Sequence, residues 1–168
     1  MDGLPFNPLE PELDAYSGRL NIEKQVFQVS GVLKNVYGLG VQQEASLRSA
    51  LKTAYDEAGI TATRGQEIAA PEFSRVGELL EEAGERTVVN RLSPIFQLGL
   101  FRPGTSSMEK LISKPAVVRL SQLPNEEVKK AAAELILRSL YNSILHSGHS
   151  QALRYVIVID EAHKIANL

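Results

Sequence analysis

"RYVIVIDEAHKIANL" (residues 154–168) is the stretch of sequence on which the predicted fold depends. The residues from Tyr155 to Ile159 are all apolar, and Asp160 and Glu161 follow them at once. An apolar run without polar alternation is typical of a strand that is buried on both faces of a parallel sheet. The sequence therefore predicts a central β-strand over 155–160, with two acids at its carboxyl end.

The residues before this run predict the rest of a right-handed βαβ unit. "PAVVRLS" (115–121) is rich in β-branched residues and predicts a first strand. The stretch 125–147 has apolar residues at helical spacing, Asn125 as its N-cap and Gly148 beyond its end. Strand, helix and strand in this order predict an α/β fold with a parallel sheet.

The first hundred residues have a different, helical pattern. "LPFNPL" (4–9) reads as the end of a strand leaving a sheet. Helices are predicted from Asn21 to Gly38, over 42–58, over 71–83 and over 85–98, with a kink or break at Pro94. We therefore interpret about 20–100 as a helical subdomain inserted into the sheet, and about 101–168 as the βαβ segment.

The acids after the last strand carry the predicted chemistry, since ligands of parallel sheets bind beyond the carboxyl ends of the strands. Four hydrophobic residues followed by Asp-Glu form the Walker B pattern of nucleoside triphosphatases. Asp160 is predicted to hold Mg²⁺ at the phosphates of ATP, and Glu161 to orient or deprotonate the attacking water. His163 could contact the γ-phosphate or a partner. Alternatively, Asp160 and Glu161 only cap a following helix.

The other half of such a site is a P-loop, G-x-x-x-x-G-K-[ST], which cradles the phosphates. None of the 12 glycines is followed by lysine, so these 168 residues contain no P-loop. We expect residues 1–168 to be a fragment of one ATPase domain, with a partial RecA-like parallel sheet; a degenerate relative is the other interpretation. Arg91, Arg102 and Arg138 are candidates for an arginine acting in trans, although ordinary surface roles are simpler.

Composition limits the remaining choices. The net charge of −2 gives no overall basic footprint for nucleic acid, although a local basic groove would suffice. The absence of cysteine excludes disulfides and thiolate metal sites. No apolar run approaches the roughly 20 residues that span a bilayer, and the acidic N-terminus does not resemble a secretory signal. A cytoplasmic protein is expected.

Several segments, taken in order, support a family resemblance. The chain resembles the HerA-type ATPases of the FtsK–HerA group and, more distantly, the ATPases of conjugative type IV secretion. The segments are "FNPLEP" (6–11), "VYGLGVQQEASLRSALKTAYDEAGI" (36–60), "VVNRLSPIFQLGLF" (88–101), "AVVRLSQLPNEEVKKAAAELILRSLYNSIL" (116–145) and "RYVIVIDEAHKI" (154–165).

The resemblance implies a hexameric motor that uses ATP and Mg²⁺ to move double-stranded DNA through a ring, in some relatives with a nuclease partner. Asp160 would then be the metal residue and Glu161 the catalytic acid. The family's P-loop, sensor and arginine finger have no counterparts in these residues, so the isolated chain is expected to be inactive. The alternatives are a DEAD/DEAH-type helicase fragment and a non-enzymatic helical interaction module.

Overall fold

The structure is a computed structural model that describes residues 6–11, 19–63, 68–101, 108–146, 152–160 and 162. The described residues form six helices. These are α1 (Ile22–Tyr37), α2 (Val41–Glu57), α3 (Phe73–Glu82), α4 (Arg86–Gln97), α5 (Met108–Ile112) and α6 (Glu126–His146).

The ends of the helices follow local sequence signals. The Asn21 side chain accepts a hydrogen bond from the backbone N–H of Lys24 at 3.0 Å and caps α1, which ends at the left-handed Gly38. Asn125 caps α6 in the same way, accepting from the N–H of Val128 at 2.8 Å. The predicted helices over 20–100 are confirmed to within about two residues, and Pro94 lies inside α4. The short helix α5 was not predicted.

The hydrophobic core lies between the helices. α2 packs against α1 and α3, α3 packs against α4, and α6 packs against α1. Interior positions at helical spacing on each element fill this core, as expected for amphipathic helices. The largest fully buried side chains include those of Tyr55, Leu33, Leu47, Leu51, Leu80, Leu92 and Ile95.

The predicted parallel sheet is wrong. Residues 115–120 and 153–159 are irregular, and no strand occurs in the described parts of the chain. The α/β fold class, the βαβ unit and the partial RecA-like sheet are therefore replaced by a helical architecture. The physical reason is that a strand satisfies its backbone only through a neighbouring strand. Neither apolar run has such a neighbour among the residues that the structure describes.

The Asn-Pro-Leu segment is a buried turn and not the end of a strand. Asn7 is buried; its side-chain Nδ2 donates to the carbonyl oxygen of Pro71 at 2.9 Å, and its Oδ1 accepts from the N–H of Leu9 at 2.9 Å. Gln25 Nε2 donates to the oxygen of Pro8, and the Tyr55 hydroxyl donates to the oxygen of Leu9, both at 2.5 Å. We call residues 6–9 the N-terminal turn. Gln25 of α1 and Tyr55 of α2 thus bond the turn to two helices, and Asn7 bonds it to Pro71, just before α3.

Two helical glycines give a matched stability prediction. A Cβ on Gly31 in α1 would meet no atom within 4 Å, so Gly31→Ala should raise the free energy of unfolding by about 0.5–1 kcal/mol. A Cβ on Gly77 in α3 would lie 3.0–3.3 Å from side-chain carbons of Phe96. Gly77→Ala should therefore lower the free energy by about 1–2 kcal/mol, because overpacking outweighs the gain in helix propensity. Urea unfolding of both variants measures this; equal shifts would contradict the packing at Gly77.

Candidate functional site

The predicted ATPase residues fall at the end of the described chain. Asp160 is exposed and lies in a turn directly after the irregular residues 153–159. Glu161 and His163 lie outside the described residues, so the structure does not show their geometry. The carboxylate of Asp160 is not at the edge of a sheet among the described residues. Its roles as metal and nucleotide ligand, and those of Glu161 and His163 in catalysis, stay predictions.

The residues before Asp160 form an exposed apolar segment. The exposed fractions are 73% for Val156, 50% for Ile157, 86% for Val158 and 41% for Ile159. No hydrogen bond joins residues 155–159 to the rest of the described chain. Large side chains of this kind are usually covered in a folded protein. We call residues 155–159 the apolar segment.

The other predicted strand is exposed as well. Val117 is 84% exposed and Val118 is 38% exposed, in the irregular stretch 115–120. On α6, Tyr141 and Leu145 also face solvent. The apolar surface of the described chain is thus concentrated in its C-terminal third, whereas the helical block up to Phe101 has a closed core.

The charged groups on the helical block are largely engaged with one another. Arg75 on α3 forms ion pairs with Glu57, Glu78 and Glu82 at 2.7–2.9 Å. These hydrogen bonds raise the pKa of the Arg75 guanidinium, and the Arg75 contact lowers the pKa of Glu57. They hold α3 to α2. No group of three His, Asp or Glu side chains suited to a metal ion is found among the described residues.

A second charged cluster ties α1 to α2. Glu44 accepts from Lys34 at 2.6 Å and from Arg48 at 3.2 Å. The hydrogen bond from Lys34 is the main reason that the pKa of Glu44 is lowered. The guanidinium of Arg48 also lies 4.9 Å from the ring centroid of Phe27. The charges of Lys34, Glu44 and Arg48 therefore have a structural role at the contact between α1 and α2.

The two arginine candidates that the structure describes, Arg91 and Arg138, lie on different helices. Arg91 donates to the carbonyl oxygens of Tyr37 at 3.4 Å and Gly38 at 2.9 Å, so it satisfies the end of α1. Arg138 is exposed on α6, and Arg102 lies outside the described residues. Arg91 thus has a local structural role that sequence alone did not reveal.

A small cavity of about 220 Å³ lies between the start of α3 and the end of α4. Three aromatic rings line it, those of Phe73, Phe96 and Phe101, with the ring of Phe73 5.1–5.2 Å from the other two. Glu72 is its one charged residue. The lining lacks the convergent polar groups that orient a ligand. We assign it no role.

Two tyrosines of the helical block differ in how their hydroxyls are satisfied. The hydroxyl of Tyr37 is buried without a hydrogen-bond partner among the described residues, whereas that of Tyr55 donates to Leu9. Burial raises the pKa of both phenols, and the negative charge of Glu127 raises that of Tyr37 further. The buried Tyr37 hydroxyl therefore carries a desolvation cost that no hydrogen bond from a described residue offsets.

Removing each hydroxyl should have opposite consequences. Tyr37→Phe deletes an unsatisfied group and should leave the free energy of unfolding unchanged or raise it by about 1 kcal/mol. Tyr55→Phe leaves the Leu9 carbonyl without its donor. This change should lower the free energy of unfolding by about 1–2 kcal/mol. Chemical denaturation of the pair tests this. A loss of stability in Tyr37→Phe would show that its hydroxyl has a partner.

The comparisons with known proteins do not identify the chain. No protein-family model matches the sequence, and a search of characterised proteins finds no match. Within the described residues, no helix has both the length and the apolar character needed to cross a membrane. The functional interpretation therefore depends on the residues themselves.

Proposed function

We propose that this chain carries the Walker B half of the ATP-hydrolysing site of a HerA-like DNA translocase. The observation that supports the proposal most is the sequence "YVIVIDE" (155–161), four hydrophobic residues directly before Asp160 and Glu161. In the proposed site, Asp160 holds Mg²⁺, through water, at the phosphates of ATP. Glu161 positions or deprotonates the attacking water, and His163 couples the γ-phosphate to a neighbouring group.

The exposure of the apolar segment supports the same proposal. Burying Val156 and Val158 would be favourable by roughly 25 cal/mol per Å² of apolar surface, so solvent is not their expected environment. In a working ATPase site these residues are covered, which anchors Asp160 rigidly. The covering residues, like the P-loop, are supplied from outside these 168 residues.

The wider function follows from the resemblance and is part of the proposal. The motor works as a ring, hexameric in this family, with ATP and Mg²⁺ as cofactors and double-stranded DNA as substrate. A nuclease is its candidate partner, and the cytoplasm is its proposed compartment. By itself, the 168-residue chain is expected to lack ATPase activity, since it has no P-loop.

One observation favours a second candidate, a non-enzymatic helical interaction module. The described chain is helical, and Asp160 is an exposed turn residue. In this alternative, Asp160 and Glu161 begin a helix, and the exposed residues 156–159 contact a partner protein.

The flanking coding sequence and nucleotide binding distinguish the two candidates. If the chain is part of a translocase, we expect an in-frame G-x-x-x-x-G-K-[ST] upstream of Met1, in a polypeptide that binds ATP with Mg²⁺. It also expects Asp160→Asn to weaken the Mg²⁺ dependence of ATP binding in that polypeptide, measured by calorimetry with and without the metal. A coding region without any P-loop, or a polypeptide that binds no ATP, would exclude the translocase and leave the interaction module.

A further inference from the structure

We draw no further inference here: the strongest candidate, the apolar surface patch that Tyr141 and Leu145 expose on α6, carries none because nothing in the structure shows what covers it.

Discussion

Asn7→Ala is expected to lower the free energy of unfolding by about 2–4 kcal/mol, because it leaves two buried backbone groups without partners. Asn7 joins the N-terminal turn to the carbonyl of Pro71, 64 residues away, and also bonds the N–H of Leu9. Alanine can replace neither bond, and water has little access to a side chain that is 6% exposed. Urea unfolding followed by circular dichroism gives the value.

Asn21→Ala is the matched control for this prediction. Asn21 also bonds one backbone N–H, that of Lys24, but at an exposed helix end where water can substitute. Its loss should cost about 1 kcal/mol, the usual value for an N-cap. If Asn7→Ala were no more destabilising than Asn21→Ala, the N-terminal turn would not be held by the buried hydrogen bonds.

Glu161→Gln should have the largest effect on activity, in the polypeptide that supplies the P-loop. A glutamine keeps the shape of the side chain but cannot accept a proton from the attacking water. The kcat for ATP hydrolysis should fall by about 10²–10⁴-fold, the range for losing a general base. The Kd for ATP should not change, because the phosphates and Mg²⁺ are held by other groups.

Glu81→Gln makes the same chemical change on the exposed side of α3 and should leave both kcat and Kd unaltered. Steady-state hydrolysis and equilibrium nucleotide binding, measured on both variants, separate catalysis from affinity. A Glu161→Gln enzyme with unchanged turnover would remove Glu161 from catalysis. Loss of ATP binding in that variant would show that Glu161 holds the nucleotide instead.

The helices could be predicted because their signals are local. Asn21, Gly38 and Asn125 mark helix ends through bonds to residues only a few positions away. A helix pairs each N–H with a carbonyl four residues earlier, so a short stretch of sequence contains most of what determines it. The helical block and α6 were therefore predicted nearly to the residue.

The buried turn and the tyrosine hydroxyls could not be predicted in this way. The hydrogen bonds from Asn7 to Pro71 and from Tyr55 to Leu9 can form only after the helices have packed together. An Asn before a proline does favour a turn, and this was the available signal for residues 6–9. The partner of the turn lies too far along the chain for any local pattern to indicate it.

The sequence alone determined the helices, their caps and the carboxylate pair that follows an apolar run. The tertiary structure decided whether the runs at 115–121 and 155–160 become strands, and in the described chain they do not. An apolar run indicates that a segment will be buried. A strand, however, forms only where a second strand makes hydrogen bonds with its backbone. The backbone hydrogen bonds of a helix form within the helix itself, whereas those of a strand require a neighbouring strand.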